Sequence, residues 1–162
     1  MRNEQAMNIV RESLRGMAAQ DSRPLETILR GVSDGDLLTI FTLAFTLLTQ
    51  ALVDRVAPVP RGLMPDFRKG LPTHVDAELY RIAAEVAVSQ EWAEVSSKDA
   101  HTVMCGALVM QRTFFDELSP EKIIGLGFVI AAHLLYANRD DGQVADYLDE
   151  LEPILLTAVG GG

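Results

Sequence analysis

Two residues with reactive side chains lie one helical turn apart in a predicted helix over 97–118. His101 and Cys105 are spaced i, i+4, so both side chains fall on one face of that helix. This spacing supplies two of the three or four ligands that a tetrahedral zinc site requires. It also sets a thiol beside a general base, but no third residue that would orient the base is evident. We therefore predict no catalytic residue and no metal, and we leave the roles of both residues open.

His133 lies in the middle of the most apolar segment of the chain, a predicted helix over about 120–137. Apolar residues occur on all sides of this helix, which is typical of a helix surrounded by others. We expect the chain to fold around it, with His133 satisfied by a carbonyl or hydroxyl group. In the alternative interpretation, His133 lines a pocket for an apolar small molecule together with Met64 and Phe67.

Helix start signals recur along the chain, and no segment shows the alternation of apolar and polar residues that is typical of strands. Three predicted caps place a hydroxyl three positions before an acidic residue, and a fourth precedes a proline: Ser33, Thr73, Ser96 and Ser119. With hydrophobic periodicity, these signals predict helices over about 3–19, 23–31, 34–56, 74–95, 97–118, 120–137 and 142–158. We predict an all-α fold: a single domain over 1–162, built as a helical bundle of six or seven helices around the apolar helix over 120–137.

Prolines and glycines interrupt the helical pattern over 57–72 and exclude a helix interior there. Sixteen residues is long for a connection inside a domain, and such loops are packed crossovers, lids or binding loops. Four apolar residues within the segment favour a crossover packed on the body of the protein. The alternative is a binding loop that makes contact through Arg61, Arg68 and Lys69.

The predicted helix over 34–56 carries no charged residue from Leu37 to Val53. These seventeen residues span about 25 Å, which is short of an untilted bilayer crossing, so a membrane helix is disfavoured. Threonines recur along one face of this helix, at Thr39, Thr42, Thr46 and Thr49. We expect a packed or solvated face, and the alternative is a seam for the same helix of a second copy.

The two remaining candidate contact surfaces are an aromatic residue and an acidic face. Trp92, the single tryptophan, falls on the charged side of the predicted helix over 74–95, the side that also carries Glu85. A large aromatic residue there either packs under a neighbouring segment or anchors a partner. The last predicted helix has an acidic outer face, which is a solvated surface or, in the alternative, a docking surface for a basic partner. Its residues include Asp146, Asp149 and Glu150.

Composition limits the class of protein and its partners. The chain has 162 residues, 48% of them apolar, and a formal net charge of −9, which excludes disorder and disfavours direct nucleic-acid binding. Residues 73–162 hold five basic and fifteen acidic side chains, so the acidic excess lies in the second part. A single cysteine and the charged residues among the first thirty predict a cytoplasmic location without a secretory signal. Eleven arginines against three lysines are typical of GC-rich coding DNA, as in actinobacteria and their phages.

The absence of a catalytic constellation and the many apolar helices decide the functional prediction. We predict a non-enzymatic interaction or regulatory module, homodimeric, that binds a protein partner through helix faces and uses no cofactor. A first alternative is a carrier or sensor of an apolar small molecule, with its pocket between the helices over 34–56 and 120–137. A second alternative is an acidic, phage-type inhibitor that occupies a nucleic-acid-binding protein.

Overall fold

The computed structural model describes residues 1–56, 65–67, 69–110 and 117–160, and helix is its main regular structure. Within those residues the chain forms seven α-helices, one 3-10 helix and no strand, with about 79% of residues helical. The elements are α1 (Asn3–Ala18), α2 (Arg23–Leu29), α3 (Asp34–Val56), α4 (Thr73–Ser89), the 3-10 helix η1 (Glu91–Ala93), α5 (Ser97–Val109), α6 (Pro120–Tyr136) and α7 (Asp141–Ala158). The predicted all-α, single-domain helical bundle is confirmed.

Side-chain caps set most of the helix starts. The hydroxyls of three predicted caps accept hydrogen bonds from backbone N–H groups three residues later, at Ser33, Ser96 and Ser119. The prediction for Thr73 is wrong, because Thr73 is the first residue of α4 and Pro72 stands at the cap position without a side-chain bond. A capping box that we did not predict, formed by Asp140 and Gln143, begins α7.

Two helices end earlier than the apolar periodicity predicts. α4 stops at Ser89 instead of 95, and α5 stops at Val109, although its pattern continues into residues that lie partly outside the described ones. Glu94 and Met110, which follow η1 and α5, have left-handed backbone angles, with φ of 53° and 58°. Glycine or asparagine is the usual residue in that conformation, so neither end is marked in the sequence.

α6 is the centre of the bundle, as predicted. It packs against α1, α3, α5 and α7, and eleven of its seventeen residues are buried. Small residues allow close approach to α3: a Cβ atom added to Gly127 would lie 3.5 Å from the Cβ of Ala44. The most apolar of the described helices is thereby covered by its neighbours.

In the part of the chain that the structure describes, α3 is the one helix long and apolar enough to cross a membrane, and more than half of its most apolar 18-residue window is buried in the bundle. α6 and α7 pass the same test only as a pair bent by 118°. At the C-terminal half of α3, Thr49 and Gln50 are each 6% exposed, and the Thr49 hydroxyl lies 3.4 Å from the Ala107 oxygen of α5. This half of the threonine face is therefore an intrachain contact.

Candidate functional site

α4 and α5 bring an aspartate to the two residues whose spacing stood out in the sequence. His101 Nε2 lies 3.2 Å from Asp76 Oδ1, and Cys105 Sγ lies 3.4 Å from the same ring nitrogen. Tyr80 stacks on the imidazole with ring centroids 3.8 Å apart. We call these four residues the His101 cluster.

Each helix contributes two residues of the His101 cluster at a spacing of one turn. Asp76 and Tyr80 lie on one face of α4, and His101 and Cys105 lie on one face of α5. The alignment of His101 with Cys105 is confirmed, whereas Asp76 was missed as their partner. Asp76 stands 25 positions before His101 and fits a helix-cap pattern, so no local signal identifies it.

Exposure decreases from the aspartate to the cysteine. The Asp76 side chain is 42% exposed and that of His101 is 18% exposed, whereas Cys105 is buried at 6%. Burial, with a smaller contribution from the negative charge of Asp76, raises the pKa of Cys105 to about 11. The thiol is therefore protonated near neutral pH, which does not suit a nucleophile.

The Asp76 oxygen and the Cys105 sulfur both approach His101 Nε2, so the three groups are not arranged in series. In a Cys-His-Asp relay, the two ring nitrogens face different partners, one the nucleophile and the other the acid. Here His101 Nε2 is the nearest ring nitrogen to Cys105 as well as the partner of Asp76, and Nδ1 lies 3.7 Å from the sulfur. The arrangement supports coordination more than proton transfer.

His133 forms a second histidine site at the other end of α4. Its Nδ1 lies 3.1 Å from the Ser89 hydroxyl and its Nε2 lies 3.3 Å from Glu85 Oε2. Ser89 thus supplies the hydroxyl partner that we predicted for His133. Glu85, predicted as an interface residue, also pairs with Arg81 at 3.5 Å and is engaged inside the chain.

Trp92 lies on η1, beyond the end of α4, because the predicted helix over 74–95 is interrupted. It is partly buried, and its Nε1–H donates to Gln90 Oε1 at 2.7 Å. Its ring lines a groove of about 330 Å³, here called the Trp92 groove. Other residues of the groove are Met17, Glu26, Lys122, Gly125, Leu126 and Val129.

The pocket predicted under the 57–72 segment involves residues that lie partly outside the described ones. Phe67 is buried at 7% in the core, and Lys69 is exposed. A smaller groove, of about 110 Å³, lies between α3, α6 and α7 and has charged residues in its wall. Neither groove is lined by Phe67 or His133. The remaining predicted contacts, Arg61, Met64 and Arg68, lie outside the described residues.

The acidic face of α7 is partly engaged within the chain. Asp146, Asp149 and Glu150 are all exposed, as predicted. Arg11 of α1 lies 3.3 Å from Asp149 and 3.6 Å from Glu152. A basic partner that bound Asp149 would have to compete with Arg11.

An apolar stripe on the outer side of α4 was not predicted. Ala77, Tyr80, Ala84 and Val88 are exposed and recur every three or four residues, which places them in one row. Tyr80 is 59% exposed and Val88 78%. We call this row the α4 stripe.

No family model, curated protein or solved structure matches this chain. The functional inference therefore depends on the residues and their geometry.

Proposed function

We propose that this protein is a non-enzymatic interaction module that acts as a homodimer paired through the α4 stripe. The observation that carries the proposal is the row of exposed apolar side chains on α4. Val88 has the highest exposure of the large apolar residues in the described part of the chain. Contiguous exposed apolar surface on a folded protein is typical of an interaction site.

The order of residues along the α4 stripe suits a second copy of the same helix. Tyr80 and Val88 lie four residues before and four residues after Ala84. In an antiparallel pairing with its two-fold axis at Ala84, Tyr80 of each copy contacts Val88 of the other. The small Ala84 side chain lets the two helices approach closely at the axis.

The charged residues beside the α4 stripe already have partners within their own chain. Arg81 bonds to Glu78 and also pairs with Glu85. Arg55 of α3 lies 3.3 Å from Glu78. These side chains can border an apolar contact without a new partner for their charge.

The salt dependence of binding distinguishes a homodimer from a complex with a basic partner. Two chains of formal charge −9 repel each other, so added salt strengthens a dimer held by apolar contact. An acidic inhibitor bound to a basic protein through Asp146 and Glu150 shows the opposite dependence, because salt screens an attraction. The inhibitor hypothesis is therefore supported only by binding that weakens as salt is added.

The test is sedimentation velocity of the full chain over a range of concentrations at low and high salt. We expect a dimer that is stronger at high salt. Val88→Asp places a carboxylate in the apolar contact and should weaken the dimer by roughly tenfold or more. The control is Leu38→Asp, which makes the same charge change at a 61% exposed leucine on α3 and should leave the dimer intact.

Two results would overturn the proposal. A wild-type chain that is monomeric at every concentration excludes the homodimer. A dimer that Val88→Asp leaves unchanged excludes the α4 stripe as its interface.

A second function, a carrier of a small molecule, is favoured by the Trp92 groove. Its volume of about 330 Å³ is at the lower end of the range for ligand pockets. Met17, Leu126 and Val129 give it an apolar wall, and Glu26 and Lys122 lie beside them. This is a different place from the pocket that the sequence led us to predict for a carrier.

Gly125 provides a test of the carrier function. An added Cβ atom at Gly125 meets no atom within 4 Å, so Gly125→Phe can fill the groove without a backbone clash. Gly35→Phe is the matched control, because Gly35 is equally open and lies on α3. A carrier shows excess mass in a native mass spectrum of the wild type and the control, and none in Gly125→Phe. A wild-type spectrum at the bare chain mass excludes a retained ligand.

A further inference from the structure

We propose that Asp76, His101 and Cys105 form a binding site for one divalent transition-metal ion of the zinc type. One carboxylate oxygen, one imidazole nitrogen and one sulfur lie within 4.8 Å of one another. The three proposed ligands belong to a single chain, so the site does not require the proposed homodimer, although Tyr80 belongs to both the His101 cluster and the α4 stripe.

The donor set selects the class of metal. Imidazole and thiolate are ligands of zinc and of neighbouring transition metals, and a carboxylate completes many zinc sites. Calcium and magnesium take oxygen ligands almost exclusively, and this cluster offers one carboxylate. We therefore expect Zn²⁺ and Co²⁺ to bind, and Mg²⁺ to have no effect.

The two donor distances from His101 Nε2 are close to those around a tetrahedral ion. Metal–ligand bonds of about 2.0 to 2.3 Å place neighbouring donors roughly 3.3 to 3.8 Å apart. His101 Nε2 is 3.2 Å from Asp76 Oδ1 and 3.4 Å from Cys105 Sγ. An ion between the three atoms requires only small movements, and Asp76, the most exposed of the three side chains, is the one best able to move.

Two of the ligands are held in place before an ion arrives. His101 and Cys105 are one turn apart on the same helix, and Tyr80 covers the imidazole face. Cys105 is buried, which fixes the direction of its sulfur. Preorganised ligands lose little conformational freedom when the ion binds.

When the metal ion binds, the three protein donors replace water molecules as its ligands. The hydrated ion, which is octahedral in water, releases all but one of its water molecules as the three protein donors bind and it becomes tetrahedral. The Cys105 thiol loses its proton to solvent when the sulfur bonds to the metal, because the thiolate is the ligand. No electron is transferred and no other reactant is required.

The other histidine site provides an internal control. His133 has one carboxylate partner and one hydroxyl partner, Glu85 and Ser89, and a serine hydroxyl is not among the usual zinc ligands. Both of these partners lie on α4, as Asp76 does, and the His133 side chain has a similar exposure to that of His101, at 17%. Metal binding by the chain should therefore require His101 and not His133.

The experiment is titration of the full chain with CoCl₂ after treatment with EDTA, followed by displacement with ZnCl₂. We expect one ion per chain and a thiolate-to-cobalt charge-transfer band in the near ultraviolet, which Zn²⁺ abolishes. Cys105→Ser should remove the band and weaken Zn²⁺ binding by about 100-fold or more. His133→Gln should leave both the band and the affinity unchanged.

Asp76→Asn keeps the test valid if a variant at the buried cysteine fails to fold. Asp76 is partly exposed, and the amide is nearly isosteric with the carboxylate, so circular dichroism should be unchanged. We expect its Zn²⁺ affinity to fall by about tenfold or more. Absence of the cobalt band in the wild type overturns the proposal, as does Zn²⁺ binding that Asp76→Asn and His101→Gln leave unchanged. Val88→Asp should retain the site, which separates this result from the test of the dimer.

Discussion

The two ends of α4 carry similar histidine sites that differ in one partner. At each end a carboxylate on α4 lies close to a ring nitrogen, at 3.2 Å for His101 and 3.3 Å for His133. The two imidazole side chains have nearly equal exposure, 18% and 17%. The third partner is the thiol of Cys105 at one end and the hydroxyl of Ser89 at the other.

The difference lies in how the ring nitrogens are used. His133 has a separate partner at each nitrogen. With the proton on Nε2, the ring donates to Glu85 and accepts at Nδ1 from the Ser89 hydroxyl, so it links α4 and α6. At His101, the carboxylate and the thiol gather around the same nitrogen. The first arrangement is that of a structural residue, and the second leaves several donors facing one point, where an ion can bind.

The largest effect that we predict concerns the reactivity of Cys105. A pKa of about 11 and burial at 6% leave very little accessible thiolate, so iodoacetamide should react roughly 100-fold more slowly than with free cysteine at mildly alkaline pH. The rate should rise with pH up to about 11, because a higher pH increases the thiolate fraction. A time course by mass spectrometry measures this, since the chain has one cysteine.

His101→Gln distinguishes a ligand from a base that activates the thiol. Burial is the main cause of the raised pKa of Cys105, so removal of the imidazole should leave the alkylation rate nearly unchanged. A rapid reaction in the wild type that His101→Gln slows strongly would contradict this and identify a catalytic pair. The end of α4 at His101 would then be an active site, and the end at His133 a structural link.

The same pKa predicts how stability changes in alkaline solution. The pKa of Cys105 is raised from 9.0 to about 11 by burial, so folding favours the protonated thiol. Its contribution to stability is present below pH 9 and is lost as the pH rises through 11. The wild type should therefore lose more stability than Cys105→Ala across this interval, as measured by urea unfolding. If the stability of the two proteins changed equally with pH, the raised pKa of Cys105 would be contradicted.

An intermediate effect is expected from the link between α4 and α6. His133→Ala removes the contacts of the imidazole with Glu85 and Ser89 and part of the packing. We expect it to destabilise the fold by about 1 to 2 kcal/mol. His101→Ala in metal-free solution should cost less, because Asp76 remains partly solvated. Thermal unfolding in EDTA measures both, and a larger loss for His101→Ala would contradict the structural role of His133.

The sequence contained enough information to predict the fold class and its centre. α6 is apolar on all sides and its neighbours are amphipathic, so burial of α6 follows from the hydrophobic effect alone. The ends of the helices were less predictable. Glu94 and Met110, which follow η1 and α5, adopt a left-handed conformation without the glycine that usually marks it, so the sequence carries no local signal for these ends.

The candidate sites were predictable only within a single helix. The i, i+4 pair of His101 and Cys105 follows from helical geometry, whereas Asp76 joins it through a contact between two helices. The α4 stripe was missed for a related reason. Glu78 and Arg81 made this side of α4 resemble a charged, solvated face, but those charges pair with each other, and Tyr80 and Val88 are exposed beside them.

The smallest effect that we predict is at the hydroxyl that distinguishes the His133 site. Ser89→Ala removes one hydrogen bond to an exposed serine, and alanine is the better helix former, so we expect a stability change within about 0.5 kcal/mol of zero. Cys105→Ala, at the corresponding partner of His101, should cost more, because it empties buried volume. Urea unfolding of the two variants in EDTA measures the difference. If Ser89→Ala is as destabilising as His133→Ala, the hydrogen bond to the Ser89 hydroxyl, and not the pair with Glu85, holds α4 to α6. The two ends of α4 would then differ in which partner of the histidine stabilises the fold.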